Sequence, residues 1–470
     1  MSAIAARLFG PPTRRRVELR LILLAVVISM AAYAALNLAQ DAHLSTGLVG
    51  YGGSLAALFI AAHLAVRWLA PAADPLLLPL AALLNGLGLV VVRRIDYAYQ
   101  ERAEDAAQNA PQQLIWTAVA VVVFVGVLIA VRDHRALDRY RYTFMVVGLV
   151  LLLLPALPGI GRTINGARLW VRVGPMTVQP SEIAKLALIV FFASYLVAKR
   201  EVLSLATRRI LGLHLPRARD LGPVLLAWLA SLAVLVRGKD LGTSLLFFGV
   251  FLVMLYISTE RTSWLLIGVL LFASGAVVAY RLFGHVRVRF QTWIDPFADP
   301  QGDGFQLLQS LFGLATGGLL GTGLGRGRPA EVPYSRTDFI FSAIGEELGL
   351  VGVAAVLLIY LFIVARGMRT ALGVRDEFGK LLAAGLSFSL ALQVFVVVGG
   401  VTRLIPLTGL TLPFLSYGGS SLVANYALIA LLLRISDSGR TPTAGPVTPA
   451  ARSDDMTGEM TAIVSRGGVR

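Results

Sequence analysis

Apolar stretches long enough to cross a lipid bilayer recur along most of the chain, and they limit its possible folds more than any other feature. A spanning helix needs about 20 mostly apolar residues, because unpaired backbone groups in hydrocarbon cost several kcal/mol each and a helix pairs its own. We therefore predict an all-α, polytopic membrane bundle of about 12 transmembrane helices. The predicted spans are residues 21–39, 46–66, 76–92, 114–131, 143–160, 183–198, 222–236, 241–259, 264–280, 339–365, 381–401 and 410–433.

Two of these stretches, 76–92 and 222–236, are short enough to be re-entrant rather than spanning. The composition agrees with a membrane protein, since 56% of the residues are hydrophobic and 15% are charged. A soluble domain has about 25% charged residues. The net charge of +15 is spread over short loops, so it favours attraction to anionic lipid over nucleic-acid binding. Without cysteine the chain has neither disulfides nor a thiol nucleophile.

The distribution of Lys and Arg predicts the orientation, because basic loops remain in the cytoplasm. With twelve spans, the basic segments all fall on one side of the membrane, and both termini lie in the cytoplasm. We divide the chain into a basic N-terminus (1–17), a transmembrane domain (18–434) and a polar tail (435–470) that we expect to be disordered. The basic segments are 14–16, 132–141, 199–219 and 366–380.

The longest hydrophilic interruption covers residues 281–338 and is predicted to be extracellular. Loops of this length are usually functional or disordered, and the apolar stretches and glycines in this one favour function. Residues 306–320 have apolar side chains at helical spacing. They are expected to form a helix that lies at the membrane interface or packs against the bundle.

Ionisable groups at membrane depth are functional candidates by default. Glu182 and Lys185 follow a helix start at Pro180 and share a helix face. They form either a buried ion pair or, together with Arg168 near Trp170, a site for a pyrophosphate group.

Asp338 lies where the large loop meets a predicted span. Partial desolvation there would raise its pKa toward that of a general base, although a helix cap is an alternative. Glu346 lies eight residues further on, roughly 80° around and about 12 Å along a helix. We therefore expect Glu346 to have a structural role, and Asp240, at the start of another span, to be an N-cap.

The last predicted span contains Pro413, Ser416, Gly418 and Gly419, and Arg403 precedes it. Helices broken at membrane depth often line a cavity, whereas small residues also permit close helix packing. The chain contains no Walker, HExxH or GxGxxG sequence, so neither ATP-driven transport nor zinc hydrolysis is indicated.

Taken in order, the motifs resemble those of the SEDS family (shape, elongation, division and sporulation). The family has a core of about ten helices, and this chain is expected to carry about two more ahead of it, as actinobacterial members do. Two positions depart from the common pattern, Lys239 and Arg336, where many members have Pro and His. The matching segments are 166–170, 179–182, 240–243, 295–296, 317–318, 337–340, 345–349 and 413–421.

The resemblance implies a peptidoglycan glycosyltransferase that polymerises lipid II with Asp338 as its essential residue. The position of Asp338 supplies its expected role, that of the base that deprotonates the acceptor sugar's 4-hydroxyl. The resemblance also implies Mg or Mn at an unknown site and a class B penicillin-binding protein, a transpeptidase, as partner. A role in elongation is the first expectation, and a division role or a lipid II flippase are the alternatives. Candidates for binding pyrophosphate are Arg168, Lys185 with Glu182, Arg336 and Arg403; Trp170, Asp240, Glu346, Ser416, Gly418 and Gly419 are expected to support the site.

Overall fold

The computed structural model describes residues 12–41, 43, 47–102, 108–164, 167–174, 176–201, 208–210, 213–215, 229 and 240–441. Most of these residues are helical, which confirms the predicted class. The longer helices are α1 (Pro12–Asp41), α2 (Gly47–Leu69), α3 (Leu77–Glu101), α4 (Asn109–Ala130), α6 (Arg141–Leu153), α7 (Pro180–Ala198), α8 (Leu241–Thr259), α9 (Ser263–Leu282), α10 (Gly284–Ile294), α11 (Phe305–Gly317), α12 (Ile340–Gly373), α13 (Glu377–Val401) and α14 (Gly419–Arg440). A single turn, α5 (Ala136–Arg139), precedes α6.

Within the described ranges, ten helices are long and apolar enough to cross a membrane, compared with about twelve predicted spans. The predicted span 143–160 ends earlier than expected. Helix α6 is followed by the 3-10 turn Leu154–Ala156, and the helical structure stops there. The predicted span 222–236 lies outside the described residues.

Several helix ends differ from the prediction. Helix α3 continues beyond residue 92 because its charged residues find partners: Arg94 contacts Glu347, and Asp96 accepts hydrogen bonds from the start of α4. Helix α14 begins at Gly419 rather than at 410. It also runs to Arg440, past the predicted boundary at 434, with Ile435 buried in the bundle.

A three-stranded antiparallel sheet, which the sequence analysis did not predict, joins α6 to α7. Strand β2 (Ala167–Val173) lies between β1 (Gly161–Ile164) and β3 (Met176–Val178). A second pair, β4 (Arg208–Ile210) and β5 (Leu213–Leu215), is also antiparallel.

Helices α7 and α8 run in the same direction. At their C-terminal ends, Ser258 of α8 donates to the carbonyl of Leu196, and Arg200 lies 3.2 Å from Glu260 and 2.8 Å from Glu377. We call this the opposite end of the bundle. The other end, the loop end, comprises the starts of α7, α8, α12 and α14 together with the three-stranded sheet and the segment between α9 and α12.

Helix α12 is broken at Gly349, which has φ 65°. The segment 318–323 satisfies the backbone groups that the break leaves unpaired. The amides of Thr322 and Gly323 donate to the carbonyls of Glu346 and Glu347 at 3.0 Å. In return, the amide of Leu350 donates to the carbonyl of Gly318 at 3.0 Å. The short first part of α12, next to Asp338, is thus fixed by the loop.

Candidate active site

A polar cavity of about 310 Å³ opens at the loop end. Helix α10 and the start of α11 contribute part of its lining, and the segments before α12 and α14 contribute the rest. Arg289 of α10 belongs to the first part, and Asp338 and Gly409 belong to the second. The large loop predicted to carry function therefore contributes most of the cavity lining. Helix α11 packs against α12, which is one of the two alternatives proposed for residues 306–320.

The backbone around Asp338 is tightly fixed. The carbonyl of Tyr334 accepts hydrogen bonds from the amides of Thr337 at 3.0 Å and Phe339 at 3.3 Å. Tyr334 itself has φ 56°, a conformation that a non-glycine residue adopts only where its surroundings enforce it. The Ser416 hydroxyl donates to the carbonyl of Thr337 at 2.6 Å. Asp338 is thus held through its main chain from two directions.

Asp338 is not the helix cap, because α12 begins at Ile340 with Phe339 in the capping position. Burial raises the pKa of Asp338 to about 6, and the neighbouring Asp240 adds to the increase, while the Thr337 hydroxyl and Arg289 oppose it. A carboxylate with such a pKa is deprotonated at neutral pH and still basic enough to accept a proton in catalysis.

Arg289 is the residue that sequence analysis missed. Its Nη1 donates to the carbonyls of Leu407 at 3.3 Å and Thr408 at 3.1 Å. A Cβ atom on Gly409 would lie 3.7 Å from Arg289 Nη2 and 3.6 Å from Asp338 Oδ2. In sequence, Arg289 is one of several arginines in the large loop, and no spacing distinguishes it from Arg287.

Asp240 caps α8, as predicted, through a 3.0 Å hydrogen bond from the amide of Thr243 to Oδ1. Its Oδ2 atom is buried and has no hydrogen-bond partner among the described residues. Burial raises the pKa of Asp240. The start of α8 also touches the cavity wall, because a Cβ atom on Gly242 would lie 2.8 Å from the carbonyl oxygen of Thr408.

Glu182 and Lys185 form a buried ion pair at 2.9 Å, which is the structural alternative of the two predicted. Lys185 also donates to Gln393 Oε1 at 2.8 Å, and the Gln393 amide donates to the carbonyl of Thr411 at 3.0 Å. The pair therefore connects α7 through α13 to the non-helical segment ahead of α14.

The other predicted phosphate-binding arginines do not line the cavity. Arg168 lies exposed on β2, where it donates to the carbonyl of Leu157 at 3.0 Å, and Trp170 pairs with Arg162 across the sheet. The predicted contribution of Arg168 and Trp170 to the substrate-binding site stays a prediction.

Arg336 and Arg403 have contacts of their own outside the cavity lining. Arg336 lies 3.6 Å from Asp96, with its guanidinium 4.3 Å from the ring centroid of Tyr99. Arg403 donates to the carbonyl of Trp293 at 2.8 Å and to that of Ile294, and it thereby caps the C-terminal end of α10.

The predicted supporting residues pack around the site. The amide of Gly418 donates to Gln113 Oε1 at 3.3 Å, and a Cβ on Gly419 would lie 2.0 Å from the ring of Trp116. Glu346 accepts a 2.7 Å hydrogen bond from the amide of Arg328. These contacts fix the glycine-rich loop and the start of α14.

A divalent cation would have few protein ligands here. The described residues contain no group of three or more His, Cys, Asp or Glu side chains that could hold a metal ion. Asp303 and Asp338 line the same cavity. Mg²⁺ is often bound by one or two carboxylates together with substrate phosphates. The cavity lining therefore fits a cation whose ligands come partly from a protein carboxylate and partly from substrate phosphates.

The fold and site define a class of protein: a polytopic helical membrane protein with a partly buried carboxylate in a polar cavity at one end of its bundle. A sequence profile of the cell cycle protein family FtsW/RodA/SpoVE matches residues 75–441. The chain belongs to this family. Helices α1 and α2 lie ahead of the matched residues, as expected for two helices before the core.

Relatives and solved structures agree with this assignment. The chain is 54% identical over 432 residues to peptidoglycan glycosyltransferase RodA of Mycobacterium tuberculosis, covering 92% of each protein. It is 34% identical to stage V sporulation protein E of Bacillus subtilis, covering 78% of this chain and 98% of that protein. The crystal structure of Thermus thermophilus RodA matches with a TM-score of 0.55 and 28% identity, covering 79% of this chain and 98% of that one.

Proposed function

We propose that this protein is a RodA-like peptidoglycan glycosyltransferase that polymerises lipid II into β-1,4 glycan strands. The observation that carries the proposal is Asp338, whose pKa is raised to about 6 in a cavity that also contains Arg289. The identity to relatives named peptidoglycan glycosyltransferase supports the reaction class.

In the proposed reaction, the Asp338 carboxylate accepts the proton of the acceptor sugar's 4-hydroxyl as that oxygen attacks the donor's anomeric carbon. The new glycosidic bond forms while the bond to undecaprenyl pyrophosphate breaks, and the electron pair leaves with the pyrophosphate. Because the donor linkage is α and the product linkage is β, one displacement inverts the anomeric centre. No enzyme nucleophile is required.

We place the cavity at the outer face of the cytoplasmic membrane. Arginines such as Arg139, Arg200 and Arg369 lie at the opposite end of the bundle, and the positive-inside rule assigns that end to the cytoplasm. Both termini would then be cytoplasmic. Lipid-linked donor and acceptor remain in the bilayer while their polar heads meet in the cavity.

A divalent cation, Mg²⁺ or Mn²⁺, is part of the proposal. Asp303 is the carboxylate that would hold it together with substrate phosphates, which leaves Asp338 to accept the proton, and the cation would neutralise charge on the leaving group.

A transpeptidase of the class B penicillin-binding protein type is the proposed partner. A solved structure of a peptidoglycan synthase complex that coordinates polymerization and crosslinking contains a chain similar to this one. The match has a TM-score of 0.57 and 29% identity, and covers 76% of this chain and 98% of that one. The higher identity to RodA than to FtsW relatives supports elongation rather than division.

Reconstitution separates the enzyme from a flippase. The purified protein with its transpeptidase partner would receive labelled lipid II and a divalent cation in liposomes. Glycan polymer is the expected product. Movement of lipid II between leaflets without any polymer would overturn the proposal in favour of transport.

A further inference from the structure

Five basic side chains are candidates for binding the donor's pyrophosphate. Only one of these five lines the cavity that contains Asp338. Lys185 is paired with Glu182, and Arg403 caps α10. Arg168 lies on the sheet, and Arg336 faces Asp96. The remaining residue, Arg289, was not predicted from the sequence.

The hydrogen bonds of Arg289 fix its position and use neutral acceptors. Nη1 donates to two neutral carbonyl groups, those of Leu407 and Thr408. Asp240 and Asp338 are near enough to act on it electrostatically, but in the described part of the chain neither carboxylate forms an ion pair with Arg289 within 4.0 Å. Among the described residues, Nη2 has no hydrogen-bond partner.

Gly409 leaves the space between Arg289 and Asp338 open. It has φ 76°, and a Cβ atom there would lie within 4 Å of both Nη2 and Oδ2. The arrangement gives a cation with a free donor edge, a carboxylate and a gap between them. A guanidinium can donate two parallel hydrogen bonds to phosphate oxygens, a geometry that a lysine ammonium does not offer.

We propose that Arg289 binds the pyrophosphate of the lipid-linked donor, with the carbonyls of Leu407 and Thr408 orienting its guanidinium. This inference rests on the proposed function, because it assigns the leaving-group site of the same reaction. Arg289 then holds the diphosphate beside Asp338, and the charge that develops on the leaving group is stabilised within the cavity.

The test measures binding rather than turnover. Protein in nanodiscs would be titrated with undecaprenyl pyrophosphate and, separately, with undecaprenyl monophosphate. We expect Arg289→Ala to weaken binding of the diphosphate lipid about 10-fold or more, the scale of one lost charged hydrogen bond. The preference for diphosphate over monophosphate should shrink as well.

Arg287→Ala is the matched control. Arg287 lies on the same helix but is exposed, with its guanidinium 5.8 Å from the ring centroid of Tyr280. The Arg287→Ala variant should bind both lipids as the unmodified protein does. Unchanged diphosphate binding by a folded Arg289→Ala variant would overturn the inference.

Arg289→Lys provides the answer if the alanine variant does not fold. It keeps the charge and a donor for the two carbonyls but loses the fork, so it should fold and show a reduced preference for diphosphate. An undiminished preference would overturn the inference.

Asp338→Asn separates this inference from the proposed function. This variant should lose polymerisation yet bind the diphosphate lipid. If the unmodified protein makes no polymer while Arg289→Ala still loses diphosphate binding, the proposed reaction fails but the binding site stands.

Discussion

Asp338 acquires its chemical character from its surroundings rather than from a partner side chain. The Tyr334 carbonyl and the Ser416 hydroxyl hold its backbone, and burial disfavours its charged form. A carboxylate that forms no close ion pair can take up and release a proton without breaking a salt bridge.

The pH dependence of polymerisation should reflect this residue. The proposed reaction requires deprotonated Asp338, and burial raises the pKa of this residue to about 6. The rate should therefore be constant above about pH 7 and fall tenfold per unit as the pH drops below 6. A pH profile of kcat/KM, measured at lipid II concentrations well below saturation, checks this because it reports the pKa of the free protein. A rate that remains constant down to pH 4.5 would contradict the assignment.

Ser416 is a positioning residue for Asp338. Ser416→Ala removes the hydrogen bond to the Thr337 carbonyl and the acceptor for the Leu412 amide. We expect about 1–2 kcal/mol lower stability and a lower polymerisation rate with little change in lipid II binding. Thermal unfolding measures the stability, and steady-state kinetics measure the polymerisation rate and the dependence on lipid II concentration. Ser54→Ala, at an exposed position on α2, is the control and should change neither.

At the scale of elements, the glycine-rich loop and α12 depend on a buried ion pair. Arg94 of α3 donates to Glu347 at 2.7 Å and to the carbonyl of Gly327, also at 2.7 Å. Glu347 in turn accepts a 3.0 Å hydrogen bond from the amide of Gly325. Three segments that are distant in sequence therefore meet around one carboxylate.

Removing one partner of this pair should be more harmful than removing both. Arg94→Met leaves Glu347 buried without its cation, at a cost of about 3–5 kcal/mol. The double variant Arg94→Met with Glu347→Leu should recover a large part of that loss. Chemical or thermal unfolding in detergent gives the comparison. A double variant less stable than Arg94→Met alone would refute this account of the loop.

Sequence reasoning worked best where hydrophobicity alone decides the structure, as in α8 and α13. It ended α3 too early because the burial of Arg94 depends on Glu347, a partner far along the chain. The start of α14 was misplaced because residues 410–418 are apolar but make contacts that only the tertiary structure provides.

Dependence on contacts between distant parts of the chain also limits prediction of the site. Asp338 could be identified from the sequence because it belongs to a recognisable motif and lies where the large loop meets a predicted span. The pairing of Lys185 with Gln393 and the location of Arg289 depend on which helices become neighbours, and no local pattern contains that information.

For the molecule as a whole, the orientation in the membrane can be tested directly because the chain has no cysteine. Single cysteines at Gln301, exposed at the loop end, and at Arg139, exposed at the opposite end, would report the two sides. We expect a membrane-impermeant maleimide to label position 301 in intact cells and position 139 only after permeabilisation. The reverse pattern would place the cavity in the cytoplasm.

The central claim is that Asp338 performs the proton transfer in glycan polymerisation. The most direct measurement compares the initial rate on labelled lipid II for the unmodified protein, Asp338→Asn and Asp299→Asn, each with the transpeptidase partner. Asp299 is an exposed carboxylate on the same loop that does not line the cavity, so its variant controls for loss of charge. We predict a loss of about 10²-fold or more for Asp338→Asn and a much smaller effect for Asp299→Asn. An Asp338→Asn rate within a few fold of the unmodified protein would contradict the account.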